Sequence, residues 1–560
     1  MSGKRSGGEV LVDQLVAQGV TDAFCVPGES YLDVLNALYL KRDNINLYVA
    51  RQDGGAAYMA EAYGKISGKP GICFVTRGPG ATNASIAVHT AYQDSTPMIL
   101  FVGQVGSDMI DREAFQEIDY RRMFGQMTKW VAQIDRADRI PEYVSRAFQT
   151  ATSGRPGPVV LALPEDMLVQ QVDVQDVSQV SPIRFSPTQL QCDSVRALLD
   201  ASSKPLVILG GGGWSEGAYQ DIKRFIEEQN LPVACSFRRQ DLFDNYHPNY
   251  VGDVGIGINP ALAEYVKDSD LLIVLGARLG EMTTSGYTLI ESPNPRQKLI
   301  HVHPGIEELG RVFQGALLIH AHIADAAKSF SELEPSPTRN KWESWLEVGR
   351  ARYLENIEPQ ATPGAVDLGE FMRTFKELLP RDTIITNGAG NFSGWIHRHW
   401  QYSGLRTQAA PTNGAMGYGV PSGVAAKVAS PDRTVVSVSG DGCFLMNGQE
   451  IATAIQYDLK VIFIVFDNGM YGTIRMHQER EYPENVHGTA LRNPDFAALA
   501  RAYGLHAETI LSTEEIRGAL SRCIDAPQAS LIHIKVDPEA ITTRTTLSKI
   551  RAAAIKRLRN

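Results

Sequence analysis

Two polar turns, each directly after an apolar strand, limit the fold of this chain more than any other feature. The segment 434–438 leads into Gly440-Asp441-Gly442, and the segment 461–466 leads into Asp467-Asn468-Gly469. Asn468 follows Asp441 by 27 positions, enough for one strand–helix–strand unit. Such a unit makes its strands parallel, so both turns are expected at one edge of a sheet, where open α/β sheets bind ligands.

The residue types in these turns suit a hard cation. Asp441 offers a carboxylate, Asn468 an amide oxygen and Met470 a backbone carbonyl, and Mg²⁺ prefers oxygen ligands together with phosphate oxygens and water. The glycines beside Asp441 let a phosphate approach the backbone closely. The pattern predicts a magnesium–phosphate site, the alternative being two ordinary turns at strand ends.

Strands and helices alternate along the whole chain, which predicts an α/β protein with mainly parallel sheets. A polar stretch at 170–191 and a proline-rich stretch at 332–364 are interpreted as linkers. We therefore expect three domains, at 1–175, 190–335 and 364–560.

Charge and cysteine content exclude some functions. The 560 residues carry a net charge of -9, so no broad basic surface is available for nucleic acid. No apolar run is long enough to span a membrane, and residues 1–8 lack the apolar stretch of a signal peptide. The six cysteines form no CxxC pair, which favours reduced thiols in a cytoplasmic protein.

Further segments carry a family resemblance. The run from Asn413 to Pro421 resembles the segment whose methionine, here Met416, holds thiamine diphosphate (ThDP) in a V shape, and Asn387-Gly-Ala-Gly-Asn391 follows a strand as a possible phosphate loop. With the turns at Asp441 and Asn468, the chain resembles the ThDP-dependent enzymes over nearly its whole length, and among them the acetolactate synthase large subunits. The resemblance implies three doubly wound domains: pyrimidine-binding, central and diphosphate-binding. A core methionine and a plain glycine-rich turn are the alternatives for the two segments.

The resemblance also implies the site residues. The metal ligands would be Asp441, Asn468 and the Met470 carbonyl. The residues around the reacting atoms would be Asp53, Gln116, Met416 and Ile474. The cofactor would contact Gly28, Asp53, Gly390, Asn391, Gly414, Met416, Gly440, Asp441, Gly442, Asn468, Met470, Tyr471 and Gly472.

The activating carboxylate departs from the family pattern. Asp53, in Arg51-Gln-Asp-Gly-Gly-Ala, stands where the family has a glutamate that bonds N1′ of the aminopyrimidine. Its side chain is one bond, about 1.5 Å, shorter. Misplacement on that scale can cost about 100-fold in rate. Glu61 is expected to have a solvated or structural role. As an alternative, Asp53 is only a helix N-cap.

Two other regions leave the reaction open. His477 takes the place of a tryptophan that shapes the acceptor pocket in acetolactate synthases, although His477 and Arg475 could equally be surface residues of a helix. The central domain has glycine-rich loops at 210–213, 252–257 and 276–278 where those enzymes bind FAD. Such loops are weak evidence for a dinucleotide, so FAD stays uncertain.

The resemblance implies an enzyme that uses ThDP and Mg²⁺ to join a 2-oxo acid or aldehyde to a second carbonyl compound, through ylide attack on the donor, decarboxylation and addition to the acceptor. The expected assembly is a homodimer or homotetramer with active sites at the subunit interface. The alternatives are a ThDP-dependent decarboxylase or carbon–carbon lyase or hydrolase, a weakly catalytic cofactor-binding protein, and a flavin or nicotinamide oxidoreductase. The donor and acceptor are not fixed by the sequence.

Overall fold

The computed structural model describes residues 3–559. The chain forms two compact units. Within the described residues, the first unit comprises 3–184 with 424–429, and the second unit comprises 185–423 with 430–559.

The first unit is built on a six-stranded parallel sheet in the order β3-β2-β4-β5-β7-β6, beside a short antiparallel pair of β1 and β8. Its strands are β1 (Arg5–Ser6), β2 (Asp22–Cys25), β3 (Asn46–Val49), β4 (Gly71–Val75), β5 (Met98–Gln104), β6 (Trp130–Gln133), β7 (Pro158–Pro164) and β8 (Gln171–Val172). Its helices are α1 (Gly7–Ala17), α2 (Leu32–Leu40), α3 (Asp53–Ser67), α4 (Gly78–Asp94), α5 (Tyr120–Phe124), α6 (Ile140–Thr152) and α7 (Glu165–Val169).

The central strands of this sheet are apolar at nearly every position, Gln104 at the end of β5 being polar, because helices cover both faces. Every residue of β4, β5 and β7 is buried. The helix expected from about residue 82 begins four residues earlier, at Gly78, because Pro79 fits the first turn of a helix, where its missing N–H costs nothing.

The second unit contains two further six-stranded parallel sheets. The middle sheet has the order β11-β10-β9-β12-β13-β14. Its strands are β9 (Pro205–Leu209), β10 (Val233–Ser236), β11 (Tyr250–Val254), β12 (Leu271–Leu275), β13 (Lys298–His303) and β14 (Leu317–His320). The accompanying helices are α8 (Gln189–Ala201), α9 (Glu216–Gln229), α10 (Pro260–Asp268), α11 (Ile323–Ser331) and α12 (Glu343–Ile357).

The C-terminal sheet has the order β16-β15-β17-β18-β20-β19. Its strands are β15 (Ile384–Asn387), β16 (Gln408–Ala409), β17 (Val435–Gly440), β18 (Ile462–Asp467), β19 (His506–Ile510) and β20 (Ser530–Lys535). The helices of this part are α13 (Leu368–Leu378), α14 (Ser393–His399), α15 (Gly419–Ala429), α16 (Asp441–Asn447), α17 (Ile451–Gln456), α18 (Gly472–Glu481), α19 (Phe496–Ala502), α20 (Ile516–Asp525) and α21 (Leu547–Arg559).

The expected fold class is confirmed. Three sheets are parallel throughout and each is wound outward in both directions from an interior strand, which is the doubly wound α/β arrangement. Within residues 3–559, no helix is both long and apolar enough to cross a membrane.

Candidate functional site

The carboxyl edge of the C-terminal sheet brings the two polar turns together. Strand β17 pairs with β18 in parallel, with Gly440 opposite Phe466, so Asp441 and Asn468 follow adjacent strand ends. On its other side β17 pairs with β15, which places the loop 388–391 at the same edge. The chain leaves β15 and β17 in opposite directions, so the crevice between them is the topological switch point of this sheet.

A cavity of about 240 Å³ opens at this switch point, and we call it the switch-point cavity. It is lined by every residue of the C-terminal region that the sequence predicted for the cofactor, the metal or the reacting atoms. These are Gly390, Asn391, Gly414, Met416, Gly440, Asp441, Gly442, Asn468, Met470, Tyr471, Gly472 and Ile474.

Asp441 is the central carboxylate of this cavity and is only 3% exposed. Its Oδ1 accepts a hydrogen bond from the Gly442 N–H at 2.8 Å, and its Oδ2 accepts from the Gly469 N–H at 2.9 Å. Burial, followed by the nearby charge of Asp467, raises the pKa of Asp441 against the lowering effect of the hydrogen bonds from Gly442 and Asn493. The bond to Gly469 ties the first turn to the second, so Asp441 and Asn468 are held at one place.

A supporting network behind the two turns was not found from the sequence. Asn493 donates to both Asp441 and Asp467, at 2.7 Å in each case. Asp467 also accepts from His533 at 2.9 Å and from Lys535. Burial raises the pKa of Asp467, but these hydrogen bonds outweigh burial and hold the pKa well below its ordinary value. Asp467 is therefore an ionised carboxylate that supports the turn.

Residues 389–391 of the possible phosphate loop line the switch-point cavity. The Asn391 N–H donates to the Thr473 hydroxyl at 3.0 Å, and the Asn391 side chain donates to the Ile541 carbonyl at 3.1 Å. Asn391 therefore fastens the loop to α18, and its own N–H is already engaged. Gly390 has a φ of +150°, where a side chain would collide with Phe392.

The residues of α18 separate into two roles. Ile474 is 54% exposed and lines the switch-point cavity, so it is available to contact a ligand. Arg475 instead pairs with the buried Glu479, with Nη2 to Oε1 at 2.8 Å, which is a structural role. His477 is exposed and lines a second cavity beside the first.

In the first unit, Asp53 is the first residue of α3, but it does not cap the helix. The N-cap is Gln52, whose side chain accepts from the Gly55 N–H at 2.9 Å. The N-cap alternative for Asp53 is therefore wrong. Asp53 Oδ2 accepts from the Asn83 side chain at 3.2 Å, whereas Oδ1 is buried and has no hydrogen-bond partner within residues 3–559.

Gln116 and Gly28 also lie in the first unit. Gln116 has a φ of +66°, and its carbonyl accepts from the Gly78 N–H at 3.0 Å. It lines an open recess together with Asn83, the residue that contacts Asp53. A Cβ at Gly28 would lie 2.6 Å from the Cβ of Thr76, so only glycine allows this turn to pack there.

Glu61 has the expected structural role. It is fully buried, accepts from the Thr96 hydroxyl at 2.7 Å and lies 3.3 Å from the Lys65 ammonium. It is therefore an internal ion-pair member of α3.

The residues present fit a diphosphate, a divalent cation and an aminopyrimidine. The switch-point cavity combines a buried carboxylate, an amide oxygen and glycine backbone, the donor set that a magnesium–phosphate group requires. In the first unit, the unpartnered Asp53 Oδ1 is an acceptor suited to a ring N–H, since buried polar atoms without partners are rare.

Comparison with known proteins identifies the class. Models of the thiamine pyrophosphate enzymes match the chain three times: the N-terminal TPP binding domain at 5–123, the central domain at 192–330 and the C-terminal TPP binding domain at 388–534. The chain belongs to this family of thiamine diphosphate-dependent enzymes.

Within that family, the chain is similar to acetolactate synthase large subunits. It is 32% identical to the probable acetolactate synthase large subunit of Methanocaldococcus jannaschii, over 95% of this chain and 92% of that protein. It is 31% identical to acetolactate synthase 1 of Zea mays, over 95% of this chain and 85% of that protein. It is 28% identical to the acetolactate synthase isozyme 2 large subunit of Escherichia coli, over 95% of this chain and 96% of that protein.

Proposed function

We propose that this enzyme is a ThDP- and Mg²⁺-dependent carboligase that joins a 2-oxo acid or aldehyde to a second carbonyl compound. The observation that carries the proposal is the convergence of Asp441, Asn468 and Met470 on one cavity at a topological switch point. Similarity to acetolactate synthases over nearly the whole chain supports carboligation as the reaction.

In this proposal the switch-point cavity holds the metal and the diphosphate. Asp441 and Asn468 supply side-chain oxygens, Met470 supplies a carbonyl, and Gly440 and Gly442 leave the backbone accessible. Met416 and Ile474 add apolar surface that excludes water from the reacting atoms.

Asp53 has the proton-holding role. When bound, ThDP supplies an acidic carbon that becomes the nucleophile toward a carbonyl. Asp53 Oδ1 would share a proton with the pyrimidine ring, while the bond from Asn83 orients the carboxylate. Gln116 lines the recess beside Asn83 and would donate to a substrate oxygen.

We further propose that Asp53 of one subunit serves the switch-point cavity of its partner in a homodimer or homotetramer. Co-expression of Asp53→Ala with Asp441→Ala tests this. Random pairing in dimers then restores about a quarter of wild-type activity, because half of the dimers are mixed and each has one intact site. Complete inactivity of the mixture, with dimers confirmed by light scattering, would contradict shared sites.

FAD is left out of the proposed chemistry. The glycines at 210–211 and 276 are accounted for by close packing between their own loops, since a Cβ at Gly211 would lie 2.0 Å from the Gly276 carbonyl oxygen. A flavin absorption band in the purified protein would show that FAD is bound and would return it to the proposal.

A cytoplasmic location is proposed from the six cysteines, all buried and unpaired.

The test of the reaction is a product assay. The protein, loaded with ThDP and Mg²⁺, is given pyruvate, and CO₂ and carbon–carbon products are followed. We expect acetolactate or an acetoin-type product. Release of acetaldehyde and CO₂ alone would contradict carboligation and indicate a decarboxylase.

A further inference from the structure

A second cavity of about 640 Å³, which we call the arginine cavity, adjoins the switch-point cavity within the second unit. The two cavities share the lining residues Ala389, Gly390, Asn391, Gly414 and Thr473. Among the described residues 3–559, the remaining wall carries four arginines and one carboxylate: Arg238, Arg398, Arg480, Arg544 and Asp253.

The two arginines near Asn356 donate to neutral oxygens. Arg398 donates from Nε to the Asn356 carbonyl at 2.7 Å and from Nη1 to the Thr543 carbonyl at 2.5 Å. Arg544 donates from Nη2 to the side-chain oxygen of Asn356 at 2.7 Å. Among residues 3–559, no carboxylate lies within 4.0 Å of the guanidinium of Arg398, Arg480 or Arg544.

The net charge of this wall is positive. Burial and the adjacent charge of Arg544 lower the pKa of Arg398 to about 10, which leaves it protonated at neutral pH. Burial raises the pKa of Asp253 to about 7, so this carboxyl group is only partly ionised at neutral pH. Burial and the charge of Arg238 lower the pKa of His397, which is therefore neutral.

We propose that the arginine cavity binds a substrate carrying an oxyanion group, carboxylate or phosphate, that is separate from the reacting 2-oxo acid or aldehyde group, and that Arg398 and Arg544 hold that separate oxyanion. The planar guanidinium fork pairs with such groups through two parallel hydrogen bonds. Because the cavity adjoins the switch-point cavity, the substrate carbonyl can face the bound cofactor. This assignment rests on the proposed function for its catalytic use, but the anion site itself does not.

Calorimetry on the ThDP- and Mg²⁺-loaded protein tests the site, with glutarate and inorganic phosphate as separate probes that distinguish the two oxyanions. We expect at least one probe to bind, and Arg544→Gln to weaken it about tenfold, with Arg544→Lys intermediate. The control is Arg373→Gln on α13, an arginine that bonds the Pro359 carbonyl and Glu370 and lies outside both cavities. Failure of both probes to bind, or equal affinity in wild type and Arg544→Gln, would overturn the proposal.

Kinetics then separate this inference from the proposed function. In Arg544→Gln, the KM for 2-oxoglutarate or glyceraldehyde 3-phosphate should rise relative to that for pyruvate, about tenfold in the ratio. A protein that binds a probe through Arg544 but forms no carbon–carbon bond refutes the proposed function and keeps the anion site. A protein that joins pyruvate molecules but binds neither probe refutes the anion site and keeps the proposed function.

Discussion

The middle and C-terminal sheets of the second unit are both six-stranded, parallel and doubly wound, but their strand orders and their switch points differ. In the middle sheet the switch point lies between β9 and β12, whose following loops touch backbone to backbone: a Cβ at Gly276 would lie 2.6 Å from the Gly210 carbonyl oxygen. In the C-terminal sheet it lies between β15 and β17, where Gly440 faces the Phe392 ring and the switch-point cavity opens beside it. Topology offers a crevice in both sheets, and the loop residues decide whether it opens.

The two edges also differ in charge. We call the edge at β15 and β17, where the cavity opens, the open edge, and the edge at β9 and β12 the closed edge. The open edge carries the carboxylates Asp441 and Asp467, both anchored by Asn493. At the closed edge, the Gly210 carbonyl accepts from the Trp214 indole N–H at 2.9 Å and the Gly211 carbonyl accepts from the Arg239 guanidinium. A glycine-rich strand end is therefore a weak indicator of a ligand, and a carboxylate with its own hydrogen-bond support is a stronger one.

The largest effect is expected from Asp441→Ala. Cation and diphosphate are held through each other, so ThDP affinity in the presence of Mg²⁺ should fall by more than about 100-fold, as measured by calorimetry. Asp268→Ala, at the exposed end of α10 in the middle region, is the control and should bind normally. Unchanged ThDP affinity in Asp441→Ala would remove the basis of the comparison between the two edges.

The next largest effect is expected at Asp53. Its variants test whether the backbone is placed to suit an aspartate in the position where the family has the longer glutamate. Asp53→Ala should keep ThDP affinity but lose about 100-fold in exchange of the cofactor C2 proton for deuterium, followed by NMR. Asp53→Glu should raise the exchange rate if the aspartate is poorly placed, and lower it if the backbone suits aspartate. Exchange in Asp53→Ala as fast as in wild type would end the catalytic assignment.

The sequence was sufficient for features that depend on local pattern. The doubly wound sheets follow from alternating apolar strands and helices, and Asp441 and Asn468 lie at adjacent strand ends because one crossover unit separates them. The supports could not be predicted, because Asn493 and His533 reach Asp467 from 26 and 66 positions away. The arginine cavity likewise joins Arg398 to Thr543, which are 145 positions apart.

Paired glycine substitutions sharpen the comparison directly. Gly211 has a φ of +68°, and its Cβ would meet the Gly276 carbonyl, so Gly211→Ala should lower the free energy of unfolding by about 3 kcal/mol without changing ThDP affinity. In Gly442→Ala the new methyl would lie 2.6 Å from the Tyr471 ring, a lining residue, so ThDP affinity should fall as well. Urea unfolding and calorimetry separate the two results. A loss of ThDP affinity in Gly211→Ala would show that the closed edge also serves the cofactor.

The smallest effect is expected at Glu479, which keeps α18 in place beside the open edge. Its carboxylate accepts hydrogen bonds from Arg551 at 2.6 and 2.7 Å and from Arg475 at 2.8 Å. These hydrogen bonds lower the pKa of Glu479 to about 2, and the bonds from Arg551 have the largest effect. A carboxylate with a lowered pKa stabilises the fold fully above its unfolded pKa of about 4.3 and loses that contribution as pH falls toward 2. Glu479→Gln should therefore cost about 2 kcal/mol at pH 7, and the difference from wild type should shrink as the pH falls below about 4.

Urea unfolding at several pH values measures this difference, and Glu481→Gln is the matched control because Glu481 is an exposed residue of the same helix, 3.3 Å from Arg557. The control should change stability by less than about 0.5 kcal/mol at every pH. If the cost of Glu479→Gln stayed constant down to pH 3, the ion pair would not account for it. The open edge would then depend on packing, as the closed edge does, and the contrast in charge between the two sheets would not extend to α18.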